Sequence, residues 1–232
     1  LVEIEERILK RVAAKETSDY IRSLHISNGV NIKEAVGLGK LEIADDKVLS
    51  ASLTDGSDIN VDFVIVGIGI TPNTELAEGA NLKINNGILI NDKCQTSVSN
   101  IYAAGDCTSF EYKDTLVRLE SVGNAIDQAT IVAQNIMKQN TNYIPKPWFW
   151  SDQYDLKLQI AGLNTGYDDV VVRKGKNKQV SHWYFKGQSL LAVDALNDPR
   201  CYMIGKRLIE ENKSPPKNQL RDENFNLKVL LK

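Results

Sequence analysis

The longest apolar run in the sequence, Phe63 to Ile70, stands between Asp62 and Thr71-Pro72 and is broken by Gly67 and Gly69. From Val61 to Val66 the segment offers almost no polar face. That predicts a buried strand of the parallel-sheet kind, covered on both sides, and hence an α/β chain. The run is far short of the roughly 20 residues that a membrane-spanning helix needs. Glycine lets a backbone approach a ligand closely, because no Cβ intervenes. Open α/β sheets bind ligands at the carboxyl ends of their strands. Gly69 is therefore a candidate contact, with a plain strand-end turn as the alternative.

The rest of the sequence fits around that strand. Leu1 to Ile4 reads as a strand end. Glu3, Glu5 and Glu6 stand where a secretory leader would be basic, so the sequence is expected to begin inside a domain. Lys15 to Asn28 reads as a helix with Thr17, Tyr20, Ile21 and Leu24 on one side, stopped by Gly29. Turns at Asp45-Asp46 and Asp55-Gly56 separate the strands of a meander, Lys40 to Ile43 and Val48 to Leu53. Asn73 can cap a short helix through Glu78. Lys83 to Ile90 suggests a hairpin around Asn86-Gly87, and Ile101 to Ala104 a short buried strand. A helix follows from about Asn124 to Lys138, with Ala125, Ala129, Val132 and Ile136 as its apolar stripe. Tyr143 to Pro147 reads as a linker. Beyond it come antiparallel strands at Leu156 to Ala161, Val170 to Arg173, His182 to Phe185 and Leu190 to Ala195. A helix around Tyr202 to Glu211 and a polar tail close the sequence.

Composition narrows the function classes. The 232 residues carry a formal net charge of -2, which leaves no electrostatic footprint for nucleic acid. Contents of 42% hydrophobic and 25% charged residues are globular values. Cys94, Cys107 and Cys201 are odd in number and widely spaced, which argues against a disulfide framework and for a reducing, cytoplasmic setting. Their spacing matches no metal site, so no iron–sulfur cluster is expected here.

Two further strand-end segments carry chemistry. In a dinucleotide-binding βαβ unit, an acidic residue after the second strand accepts hydrogen bonds from the adenosine ribose. Glu3 has that position, and its carboxylate would repel a 2′-phosphate, favouring NADH over NADPH; a surface glutamate is the alternative. In Ile101 to Cys107, the small residues through Gly105 let a polyol chain lie against the backbone, and Asp106 can accept a hydrogen bond from it. A turn aspartate that satisfies its own loop is the alternative. Glu120-Ser121-Val122 then enters a helix, whose N-terminus favours negative charge such as that of a reduced flavin. An ordinary cap by Ser121 or Asn124 is the alternative there.

Together VIVGIGITPN (Val64 to Asn73), IYAAGDC (Ile101 to Cys107), RLESVGNAIDQA (Arg118 to Ala129) and PWFWSDQY (Pro147 to Tyr154) resemble the NADH-dependent ferredoxin reductases of the putidaredoxin reductase and aromatic-dioxygenase reductase type. These are flavoproteins with two dinucleotide-binding domains, related to rubredoxin reductases and apoptosis-inducing factor. The resemblance implies partial Rossmann-like domains: residues 1–70 for NADH, 71–142 as the returning segment of an FAD domain, and a C-terminal α+β reductase domain over 143–232. It implies FAD and NADH as cofactors and a ferredoxin or rubredoxin as electron acceptor, with no nucleic acid and no membrane.

Residue by residue, it implies that Gly105 and Asp106 hold the FAD ribityl and pyrophosphate region. Ser121 and Val122 would lie beside the isoalloxazine, and Trp150 near flavin and nicotinamide. Glu3 would meet the NADH ribose, Gly69 would offer NADH a backbone contact, and Glu120 would stand near the nicotinamide. No side chain need act as a general acid or base. Arg118 and Lys146 are candidates for steering an acidic partner. Trp148 and Trp150 would either lie at an exposed edge or pack the domain junction. Neither glycine-rich phosphate fingerprint of such domains occurs in the 232 residues. A cofactor-free truncated fragment without activity is therefore one alternative. Another NADH-dependent flavoenzyme, such as an NADH oxidase or monodehydroascorbate reductase, is the other.

Overall fold

A computed structural model describes residues 1–231, in two compact units, Leu1–Ile68 and Gly69–Lys232. In the first, β1 (Val2–Glu3), α1 (Lys15–Ser27) and β2 (Lys33–Glu34) form a βαβ unit, with Glu3 paired parallel to Glu34. The helix ends as its sequence predicts. Gly29 takes φ +83°, and the N–H groups of Gly29 and Val30 return to the carbonyls of Ile26 and His25. This is the paired closure that a left-handed residue allows after a helix. Arg22 clamps Glu34 with two parallel hydrogen bonds, Nε to Oε2 at 2.9 Å and Nη2 to Oε1 at 2.8 Å. That guanidinium holds the Glu34 carboxyl below its ordinary range. The meander forms as an antiparallel sheet of β3 (Leu38–Ala44), β4 (Lys47–Leu53) and β5 (Asp58–Asn60), in that order. Asp45 and Asp46 both have positive φ, as the tight turn between β3 and β4 demands.

The expected strand at Val61 to Val66 does not form. The Val61 N–H still reaches the Leu49 carbonyl, but among the described residues no strand pairs with the segment beyond it. Phe63 is 71% exposed, Ile65 86% and Ile68 87%. A two-faced apolar strand needs neighbours on both edges and layers on both faces. Among the described residues the segment has neither, so apolar composition alone does not make it a strand.

The second unit opens with α2 (Glu75–Gly79), whose cap residue is Thr74 rather than Asn73. A small sheet follows, in the order β6 (Ile88–Leu89), β7 (Thr108–Tyr112) and β8 (Thr115–Val117). Ile101 to Ala104, expected as a strand, makes one bridge, Gln95 to Tyr102. α3 (Val122–Ile136) comes next. Its buried face is Gly123, Asn124, Gln128 and Asn135, while Ala129 and Ile136 of the expected apolar stripe are exposed. The expected linker is anchored rather than loose. Tyr143 is buried edge-on against Phe110 and donates to Asn124 Oδ1 at 2.5 Å.

The last part is a five-stranded antiparallel sheet, made of β9 (Trp148–Gln153), β10 (Leu156–Gly162), β11 (Asp169–Lys174), β12 (Val180–Lys186) and β13 (Ser189–Leu196). The order across it is β11-β12-β13-β10-β9. α4 (Pro199–Glu210) packs on it, joined by α5 (Lys217–Arg221) and a 3-10 turn at Leu227–Leu231. The Asp198 side chain caps α4 by accepting from the Cys201 N–H at 3.0 Å. Trp183, Phe185, Val193 and Ala195 meet Ile204 and Leu208 in the core beneath α4.

Arg173, at the end of the expected strand Val170 to Arg173, is buried. Its guanidinium donates to the carbonyls of Leu220, Asp222, Glu223 and Phe225 at 2.5–3.0 Å, tying the chain's tail to β11. Replacing Arg173 by Leu leaves those carbonyls without their charged donor. The expected cost is about 3 kcal/mol of unfolding free energy, read from denaturant melts.

His182 is buried, and burial pushes its pKa down to about 4. Between the ordinary His pKa of about 6.5 and that value, the unfolded chain binds a proton that the folded chain refuses. Stability is therefore complete above that window and falls on acidification through it, by about 3 kcal/mol in full. Melts across this range should show the slope, and His182→Asn should flatten it.

Candidate functional site

The candidate site is built on the turn between Ala104 and Thr108. Gly105 takes φ +91°, where an L side chain is strained; the space itself is open, since an added Cβ would stand 3.6 Å from Ala125 Cβ. The Gly105 N–H donates to Gln128 Oε1 at 2.7 Å, and the Thr108 N–H closes the turn onto the Gly105 carbonyl at 3.0 Å. Asp106 follows with an exposed side chain. Its carbonyl accepts from Arg118 Nη1 at 3.3 Å, and the same nitrogen is 2.8 Å from Glu120 Oε1. Arg118 thus ties Asp106 to Glu120. With its side chain 10% exposed, it is not the steering charge the sequence suggested. Lys146 remains exposed.

Glu120 leads into α3, whose N-terminus is not capped as a sequence reading would have it. Ser121 makes no side-chain bond to the first turn; its Oγ donates to the Trp148 carbonyl at 3.0 Å. Asn124 points backwards, donating from Nδ2 to the Leu119 carbonyl at 3.2 Å and accepting from Tyr143. The first-turn N–H groups of α3 are therefore capped by neither candidate. Such a helix end carries partial positive charge and suits an electron-rich ligand. Gly123 lies under the Trp148 indole, and an added Cβ would come within 2.7 Å of Cε2. Trp148 in turn stacks on Trp150, with ring centroids 5.2 Å apart and an interplanar angle of 24°. Trp150 is 47% exposed and Val122 59%.

One connected framework thus holds Gly105, Asp106, Glu120, Ser121, Val122 and Trp150. Its ties are Arg118, Gln128 and Trp148, and of these only Arg118 and Trp148 had been given roles from the sequence. Gln128 signals itself weakly. It is the polar residue four positions after Asn124, where a helix repeats its face. Glu3 belongs to the first unit, at the carboxyl end of β1, where its Oε1 accepts from the Glu5 N–H at 2.9 Å. Gly69 opens the second unit, exposed and at φ +105°.

The thiols do no visible work in the site. Burial pushes the Cys94 thiol up to about 11 and that of Cys201 to about 12. The half-buried Cys107 has its Sγ 3.7 Å from the Ala104 carbonyl. Among the described residues no cluster of His, Cys, Asp and Glu could hold a metal ion, and no helix is long and apolar enough to cross a membrane.

Residues 1–129 match the family described as pyridine nucleotide-disulphide oxidoreductase, and residues 148–231 the one described as reductase C-terminal. The chain is 37% identical over its whole length to rhodocoxin reductase of Rhodococcus erythropolis, covering 55% of that protein. It is 38% identical to putidaredoxin reductase CamA of Pseudomonas putida, covering 56%. The chain spans about half the length of the curated relatives it matches. Among solved structures, the covalent putidaredoxin reductase–putidaredoxin complex aligns at a TM-score of 0.95 and 38% identity, over 100% of this chain and 57% of that one. The ferredoxin reductase for the CYP199A2 system from Rhodopseudomonas palustris aligns at 0.94 and 35%, over 98% and 57%.

The geometry makes Gly123 the seat of the Trp148 indole. Gly123→Ala should displace that ring, change the near-ultraviolet circular dichroism of the tryptophans, and cost about 1–3 kcal/mol of stability, the usual price of overpacking.

Proposed function

The chain belongs to the pyridine nucleotide-disulphide oxidoreductase family, and we propose that it serves an FAD-dependent oxidoreductase passing electrons from NADH to a ferredoxin or rubredoxin. The observation that carries this reading is the uncapped N-terminus of α3, joined through Gln128 to the turn that presents Asp106. The printed names of the relatives, reductases of rhodocoxin and putidaredoxin, agree with it.

The residues fit a flavin on structural grounds. A glycine-only turn offers its backbone, an exposed carboxylate follows it, and a helix N-terminus stands without a side-chain cap. Two buried donors beside that turn, Gln128 Nε2 and Arg118 Nε, have no partner within the protein. When bound, FAD supplies the conversion of a two-electron hydride into single electrons. The protein binds and orients. Asp106 accepts a hydrogen bond from the ribityl chain, held in register by Gly105. Ser121 and Val122 present the helix end to the pyrimidine edge of the isoalloxazine, where negative charge on reduction is favoured. Trp150 lies along the flavin and nicotinamide. Glu3 binds the ribose of NADH, Gly69 gives the nucleotide a backbone contact, and Glu120 stands near the nicotinamide.

In this reading residues 1–70 serve the nucleotide, 71–142 the flavin, and 143–232 form a C-terminal domain. The three cysteines, none in a disulfide, support a reducing cytoplasmic setting.

The carboxylate is the sharpest test. Asp106→Ala removes a charge-assisted acceptor, and flavin retention in the holoprotein should weaken about tenfold or more, measured as flavin absorbance after desalting. Unchanged flavin content contradicts the assignment. The acceptor is tested by comparing NADH-dependent turnover with ferredoxin, rubredoxin, quinone and oxygen. Oxygen or quinone as the preferred acceptor would overturn the carrier reading.

A further inference from the structure

Gln128 is completely buried, on the inner face of α3. Its Oε1 accepts from the Gly105 N–H at 2.7 Å and lies 2.9 Å from Thr108 Oγ1. The Thr108 hydroxyl has one proton and two acceptors in reach, since the Gly105 carbonyl is 2.8 Å away. The Gly105 N–H has no such choice, so it fixes the amide's orientation. Turning the carboxamide over would set an NH2 group against a backbone donor. In the orientation so fixed, Nε2 has no partner. A buried donor without an acceptor is costly and is seldom kept without a reason.

A side chain chosen for packing alone would be apolar at this position. The carboxamide is kept although only one end of it is used. What that end holds is the N–H of the Ala104–Gly105 peptide, one residue before Asp106, at the one residue of the turn with positive φ. Resting on the flavin reading above, we propose that Gln128 is a positioning residue of the flavin site. From the helix it holds the Gly105 backbone so that Asp106 is presented in its binding conformation, and the requirement is for the acceptor oxygen of the side chain rather than for its bulk.

The test compares Gln128→Met, which keeps length and loses the acceptor, with Gln128→Glu, which keeps the acceptor and replaces the unpartnered nitrogen. Two quantities are read on the full chain: hydrogen exchange at the Gly105 amide, and the dissociation constant for FAD from a flavin titration. Exchange in β12 and β13 serves as the control for folding.

In the Met variant, Gly105 exchange should speed up at least about tenfold and FAD binding should weaken about tenfold or more. In the Glu variant both should return to within about threefold of the parent. Faster Gly105 exchange with unchanged FAD affinity in the Met variant overturns the proposal, because the bond then serves the fold alone. Unchanged exchange overturns it too. Loss of FAD affinity in the Glu variant with Gly105 still protected makes Gln128 a direct ligand through Nε2, and positioning is then wrong. A parent chain that takes up no FAD overturns the flavin reading itself, and is told apart because it needs no variant.

Discussion

Helix α3 is held in place by buried carboxamides as well as by Ile131 and Val132, which pack on an apolar cluster, and the arrangement of the site depends on the carboxamides. Asn124, Gln128 and Asn135 all lie on its buried face. Each bonds to a different part of the chain. Asn124 meets Leu119 and Tyr143, and Gln128 meets Gly105 and Thr108. Asn135 donates to the carbonyls of Lys93 and Thr141 and accepts from the Thr141 N–H at 2.8 Å. An apolar contact tolerates sliding, whereas a buried hydrogen bond has a distance and an angle to keep. The helix is thereby fixed in rotation and in axial position. The turn carrying Asp106 and the segment leading to β9 are fixed with it.

From that helix the rest of the site is set by donors directed away from their usual partners. Ser121 stands where a cap belongs but bonds to Trp148. Gly123 lets the indole lie on the first turn, and the stacked Trp150 carries an aromatic surface outward. Arg118 joins the loop before the helix to the Asp106 backbone. The result is a helix end, a carboxylate and an exposed ring, all anchored on one element.

The meander, its turns and four of the five C-terminal strands were legible because their signals are local. Gly29 required a left-handed residue, Asp45-Asp46 a tight turn, and β10 to β13 showed short runs rich in apolar and β-branched residues. What escaped the sequence depends on distant partners. Val61 to Val66 has the composition of a central strand, yet a strand exists only through its ladder, and the described residues supply none. The alanines of α3 suggested the buried side, while burial follows the carboxamides, each of which has a partner about 20 to 40 residues away. β9 was missed because Trp148 to Gln153 is an edge strand preceded by Pro145 and Pro147, without alternation. Of the candidate site residues, Gly105, Asp106, Glu120, Ser121 and Val122 stood out at their turn and helix entry and the resemblance gave them roles, while Trp150 came from the resemblance alone. Their ties through Gln128 and Gly123 needed coordinates.

The central claim is that the turn at Gly105-Asp106 and the first turn of α3 together receive a flavin. The most direct measurement is an amide chemical-shift map of the chain as FAD is added. The account predicts that the largest changes fall on Gly105 to Cys107 and on Ser121 to Asn124, saturating together. Changes confined to other segments, or none at saturating FAD, would contradict it.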